Sequence, residues 1–326
     1  MLDSHNRRVN YLRVSVTDRC NFRCVYCMPP HGNEWLDHTE ILTYEELLRL
    51  ITIFSREGIT KIRLTGGEPL VRKDIVAFIG AISSMNTIDD LSLTTNGSLL
   101  PPMAYDLKAA GLHRVNISLD TVNPASFARL TTCGRLDDTL QGIESAVEAG
   151  LTPLKLNVVL TEALSESDLA YFIEQVYRYP IAVRFIEYMP IGGSGIGSGP
   201  DIAKVKKLLS AAGRGILNPV GNIKGNGPAR YYKFPKARGT FGFITPISNH
   251  FCGECNRMRL TADGKLRPCL LSNIEFDIKT PLRSGASDVE LAMIFHEAVK
   301  AKPEGHTLCR ASGYPAFQRS MSQIGG

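Results

Sequence analysis

The chain has 326 residues, 44% hydrophobic and 21% charged, with 37 Lys and Arg against 32 Asp and Glu. That length allows one large α/β domain or a domain with an appendage, and a mean hydropathy of -0.04 argues against membrane residence. The net charge of +5 suits an anionic small molecule and is too weak to argue for nucleic acid, so neither a membrane nor a nucleic acid is expected as partner. The opening MLDSHNRRVN has no apolar h-region, and no apolar run approaches a membrane span, so the expected location is cytoplasmic.

In chain order, an apolar run at residues 11–17 reads as a strand and leads into DRCNFRCVYCMPP, where Cys20, Cys24 and Cys27 stand at C-x3-C-x2-C. A helical TYEELLRLITIFSREG follows, then a strand at 61–65 ending in TGGEP, and a helical KDIVAFIGAISSM. The next strand, 91–95, runs into TTNG and a helical MAYDLKAAG; the strand at 114–119 ends in SLD before a helical LDDTLQGIESAVEAG. Strands at 154–160 and 182–186 flank a helical SESDLAYFIEQVYRY, and FIEYMP closes the series. Several helices end on a glycine, as a C-cap requires. This alternation predicts an α/β fold with a parallel sheet: six β/α units over residues 1–190, an open partial (β/α)6 barrel of the TIM type, too few for the closed eightfold form. The polar segments after the strands then converge on one mouth, where such folds bind ligands.

The rhythm stops at MPIGGSGIGSGPD, which reads as a glycine-rich linker over residues 191–200. Residues 201–326 read as a smaller, irregular C-terminal domain. It contains a short helix, a hairpin in ARYYKFPKARGTFGFITP, a second cysteine trio, a helical LAMIFHEAVKAK and a tail ending in QIGG. The second trio, Cys252, Cys255 and Cys269, has the spacing C-x2-C-x13-C. Cys133 and Cys309 stand alone and read as small, partly buried thiols with no role.

Clustered thiols in a reducing compartment are more often metal ligands than disulfides. Three thiolates on a four-iron cubane leave one iron open to an amino or carboxylate group of a small molecule. Zinc would want a fourth ligand; His31 is the nearest downstream histidine for the first trio, and a zinc ribbon bracing the small domain is the plain alternative for the second. Arg257 and Arg259, two apart, lie on one side of an extended segment, where two guanidinium forks can hold phosphate oxygens.

CNFRCVYC resembles the radical S-adenosylmethionine superfamily, and GGEP resembles its motif for the methionine amino group. CGECNRMRLTADGKLRPC resembles the second-cluster motif of the GTP 3′,8-cyclase family of molybdenum cofactor (molybdopterin) biosynthesis, and the similarity runs from about residue 11 to the terminal IGG. The resemblance implies a lyase with two 4Fe-4S clusters, one on Cys20, Cys24 and Cys27 and one on Cys252, Cys255 and Cys269. It implies S-adenosylmethionine contacts at Tyr26, Gly67, Ser118 and Met189, and GTP contacts at Arg13, Arg63, Thr94, Lys155, Arg257, Met258 and Arg259. Gly325 and Gly326 would insert into the active site, where glycine has no side chain to clash beside a radical centre. The implied reaction starts with removal of hydrogen from ribose C3′ by an adenosyl radical and bonds that carbon to guanine C8. It ends in (8S)-3′,8-cyclo-7,8-dihydroguanosine 5′-triphosphate. A one-electron donor such as a flavodoxin or ferredoxin and a cyclic pyranopterin monophosphate synthase are the implied partners, and a monomer or homodimer is expected. Two rivals stand beside this reading: a radical enzyme that modifies a peptide, which would usually carry more auxiliary cysteines, and a zinc protein that binds RNA.

Overall fold

The computed structural model describes residues 1–29, 32–191, 199–213, 215–221, 227–306 and 317–325. Its centre is a run of parallel strands: β1 (Tyr11–Ser15), β2 (Lys61–Thr65), β3 (Asp90–Thr95), β4 (Arg114–Ser118), β5 (Lys155–Val159) and β6 (Ala182–Ile186). Between them lie α1 (Tyr44–Arg56), α2 (Ile75–Ser83), α3 (Ala104–Ala109), α4 (Pro124–Thr131), α5 (Leu136–Glu148) and α6 (Glu166–Arg178).

Successive side chains on a strand point to opposite faces, and here the alternation separates two kinds of surface. Leu12 and Val14, Ile62 and Leu64, Leu91 and Leu93, Val115 and Ile117, Leu156 and Val158, and Val183 and Phe185 all join the hydrophobic core beneath the helices. Most of the alternate positions are polar, among them Arg13, Arg63, Ser92, Arg114, Asn116, Lys155, Asn157 and Arg184. Parallel sheets covered on both faces usually read as continuous apolar runs. The polar inner face of this sheet is what makes its interior a chamber for a ligand instead of a packed core.

The C-terminal half supplies α7 (Ile202–Ala212), β7 (Asn218–Val220), β8 (Arg230–Lys233), β9 (Thr240–Ile244), β10 (Arg257–Leu260), β11 (Lys265–Arg267), β12 (Phe276–Asp277), α8 (Lys279–Arg283) and α9 (Asp288–Lys300). The expected hairpin is the antiparallel pair β8 and β9. Among the described residues one sheet runs β12-β11-β10-β1-β2-β3-β4-β5-β6-β9-β8-β7. β10 joins β1 and β9 joins β6, both in parallel, so the later half extends the six-stranded core at both edges and leaves the barrel open. α9 then packs back on α1, where Phe54 and Phe295 stack with centroids 4.2 Å apart. Both rings are fully buried, and truncating either to alanine would cost about 3–5 kcal/mol.

The sequence reading missed α4. Its NPASFARLT has too short an apolar pattern to announce a helix, but Asn123 caps it by accepting from the Ser126 amide, and a proline starts it.

Candidate active site

The first cysteine loop leaves β1 and is held from two sides. The Gly67 and Glu68 amides donate to the carbonyls of Thr17 and Arg19, both at 2.8 Å. A Cβ on Gly67 would collide with that same Arg19 carbonyl, so the second glycine of GGEP is fixed by the close approach of two backbones. On the other side the Arg23 and Val25 amides donate to the carbonyls of Thr131 and Leu130, each at 2.9 Å, at the end of α4. Cys133, exposed next to this brace, donates its thiol to the Asn21 carbonyl at 3.2 Å. Cys309 and His31 lie outside the described residues.

Burial pushes the Cys20 thiol up to about 11 and Cys27 to about 12, and raises Cys24 well above the usual thiol range; Asp120 adds to the rise at Cys24 and Glu68 at Cys20. Burial also lifts the carboxyl of Glu68 to about 7, against donors from the Asn96 amide at 2.7 Å, the Thr95 hydroxyl at 2.8 Å and the Leu70 amide at 3.1 Å. Asp120 is lifted by burial to about 6 while accepting from the Tyr26 hydroxyl at 2.5 Å and the Val159 amide at 2.8 Å.

The second trio has a different setting. Cys252 opens a single 3-10 turn, and the Cys255 amide donates back to its carbonyl at 3.1 Å. Burial raises the Cys252 thiol, with His306 opposing. At Cys255 burial also pushes upward, but Arg257 and Lys302 outweigh it and hold the thiol down at about 6. The Arg257 guanidinium stands 3.7 Å from the Cys255 sulfur. All six cysteines face one cavity of about 330 Å³. Among the described residues no three His, Cys, Asp or Glu side chains gather around a single-ion centre.

Between the trios runs a basic wall. Arg259, Arg13 and Arg63 lie side by side in the register of β10, β1 and β2, all turned inward. Burial and then repulsion from Arg259 lower Arg13; burial and then repulsion from Arg257 bring Arg259 to about 9; burial brings Arg63 to about 10. Lys155 on β5 is buried and lowered to about 6, first by burial and then by Arg184, Arg114 and Arg63. The guanidiniums of this wall that line the cavity can give an anion several charge-assisted hydrogen bonds, whereas Lys155 is not among the lining residues. The Tyr11 hydroxyl agrees: it is buried on the same wall, without a hydrogen-bond partner among the described residues, under the Arg63 guanidinium.

Tyr26, Gly67, Ser118, Met189, Arg13, Arg63, Thr94, Arg257 and Arg259 all line the cavity. Met258 turns the other way, into the hydrophobic core, because it sits between two inward-facing arginines on a strand. The tail reaches the same chamber: the Gly325 carbonyl accepts from Arg259 at 3.1 Å and from Arg13 at 3.3 Å. Gly325 has φ +76°, and a Cβ there would come within 2.7 Å of the Thr65 hydroxyl. Gly326 lies outside the described residues.

Residues 14–176 match the Radical SAM superfamily and residues 181–308 match Molybdenum Cofactor Synthesis C. The chain is 52% identical to the GTP 3′,8-cyclase of Heliobacterium modesticaldum and 50% identical to that of Desulforamulus reducens, with both chains covered in full in each case. The chain belongs to the GTP 3′,8-cyclase family. As a radical SAM protein it takes a 4Fe-4S cluster and S-adenosylmethionine, and the first trio fits that cluster: three thiols on one short loop, opening on the cavity. The crystal structure of Streptococcus suis SuiB bound to S-adenosylmethionine shares the fold, with a TM-score of 0.63 at 15% identity over 91% of this chain and 69% of that one.

Several residues of this cyclase-family site escaped the sequence reading. Glu68 and Asp120 stand within GGEP and SLD but were given no role there, and Tyr11, Asn157 and Arg184 carry no local signature, although each stands at an inward strand position. Arg7 and Lys302, which flank the second trio, lie at opposite ends of the chain and no motif joins them.

Proposed function

We propose that this cyclase-family chain converts GTP to (8S)-3′,8-cyclo-7,8-dihydroguanosine 5′-triphosphate in molybdenum cofactor biosynthesis, with 4Fe-4S clusters on both trios. The observation that carries the reading is that two cysteine trios and a row of three arginines, Arg63 and Arg259 buried and Arg13 partly so, front on a single cavity. When bound, the first cluster and S-adenosylmethionine supply the adenosyl radical that takes hydrogen from ribose C3′.

The chain's own residues do the rest by holding and excluding. Arg259, Arg13 and Arg63 give charge-assisted hydrogen bonds to the triphosphate, with Arg257 and Thr94 beside them. Lys155 joins as a cation once a polyanion offsets its neighbours. Met258 contributes through its backbone only, since its side chain faces the core. On the other side Tyr26, Gly67, Ser118 and Met189 hold S-adenosylmethionine, and the Glu68 carboxylate suits a positively charged amino group. Gly325 closes the chamber beside the substrate and keeps water from a reactive carbon. Residues 1–190 then act as the radical-generating half and 201–326 as the second-cluster and substrate half. We assign the chain to the cytoplasm as a monomer or homodimer, served by a flavodoxin or ferredoxin and feeding a cyclic pyranopterin monophosphate synthase.

Anaerobically reconstituted protein given reductant, S-adenosylmethionine and GTP should form 5′-deoxyadenosine together with the cyclised nucleotide. Formation of 5′-deoxyadenosine without it overturns the substrate assignment and favours a peptide substrate. Colourless, zinc-loaded protein would sink the radical reading altogether.

A further inference from the structure

Lys302 follows α9 and is only 3% exposed. Its ammonium donates to the carbonyls of Arg257 and Pro268, both at 2.7 Å. Arg257 comes two residues after Cys255, and Pro268 immediately precedes Cys269, so one side chain ties together the two segments that carry these ligands. Among the described residues no carboxylate lies within ion-pair distance, and the negative groups acting most strongly on its charge are the sulfurs of Cys255 and Cys269. Arg7 differs. It reaches the Cys252 carbonyl at 2.8 Å and the carbonyls of Pro303 and Glu304 at 2.7 and 2.8 Å, but shares its charge with Asp3 at 2.7 Å.

A buried ammonium is costly, and two neutral carbonyls offset only part of that cost. A methionine would fill the space more cheaply, so the charge itself needs a reason. We infer that Lys302 is a positioning residue for the second trio: it fixes the segments bearing Cys255 and Cys269 and supplies the positive charge that favours the reduced, more negative state of the cluster there. This rests on the second-cluster reading above. Charge and hydrogen bonding around the sulfurs are among the factors that set the potential of such a cluster.

The test compares full-length wild type, Lys302→Met and Lys302→Arg, each reconstituted anaerobically, by iron content and by a redox titration followed by electron paramagnetic resonance. Wild type should hold about eight irons. In Lys302→Met one of the two reduction steps should become about tenfold less favourable, a fall of about 59 mV for one electron, with the other step unmoved. Lys302→Arg should keep the wild-type value. Loss of about four irons in Lys302→Met alone, restored in Lys302→Arg, also supports the inference. An unshifted potential in Lys302→Met, or the same loss in both variants, overturns it. About four irons in wild type would instead overturn the second-cluster reading itself, a distinct failure.

Discussion

The two cysteine trios have the same number of cysteines and different charged neighbours. Around the first, the carboxyls of Glu68 and Asp120 add to burial in disfavouring thiolate. Around the second, Arg257 and Lys302 overcome burial at Cys255. On the proposal that each trio holds a cluster, an added electron would be resisted in the first setting and favoured in the second. The contrast teaches that ligand spacing alone does not assign a job. A site that must push an electron onto a sulfonium gains from a negative neighbourhood, and one that holds a polyanionic nucleotide gains from a positive one.

Breaking one trio at a time gives the largest effect. Cys24→Ala should lose about four irons and abolish 5′-deoxyadenosine formation, whereas Cys255→Ala should lose about four irons yet keep that formation and lose the cyclised nucleotide; iron analysis and chromatography of the products read both. The next effect belongs to the wall between them. Arg259→Ala should weaken GTP binding by about 1.5–3 kcal/mol, read by anaerobic calorimetry, while leaving S-adenosylmethionine affinity unchanged.

A smaller loss follows from the tail. Gly325→Ala forces a side chain into a left-handed backbone against the Thr65 hydroxyl, so seating of the tail should weaken by about 1–2 kcal/mol, seen as faster amide exchange at residues 321–325. A last effect, graded with pH, sharpens the contrast further. With its ammonium held down to about 6, Lys155 is mostly neutral at about pH 7.5 in the empty protein and should gain a proton when the triphosphate arrives. Affinity for GTP should therefore rise as pH falls from about 8 towards 6, by at most about tenfold per unit. Calorimetry in buffers of different ionisation enthalpy should count up to about one proton taken up, and Lys155→Met should remove it.

The strands of the core were legible almost to the residue, because each carries a period-two alternation bounded by turn chemistry: 61–65 and 182–186 match β2 and β6 at both ends. The same alternation announced Arg257 and Arg259 as neighbours on one face, and it equally turns Met258 away from them. Strand pairing across the halves was not legible. Nothing local in RMRL or TFGFI says that one joins β1 and the other β6. Arg7 and Lys302 stayed hidden for a related reason: their roles arise from carbonyls, which every residue has, and from a chain separation that no spacing rule spans.

That shared sheet has a bearing on how the polypeptide is made. When residues 1–190 have left the ribosome, β1 and β6 each still present a row of unsatisfied amides and carbonyls, since their outer partners β10 and β9 have yet to be synthesised. The nascent barrel therefore waits with two sticky flanks, which invites association with other unfinished copies. Expression of the first half by itself should yield aggregates, and slow translation through the stretch ahead of residue 240 should lengthen the period in which that association can occur.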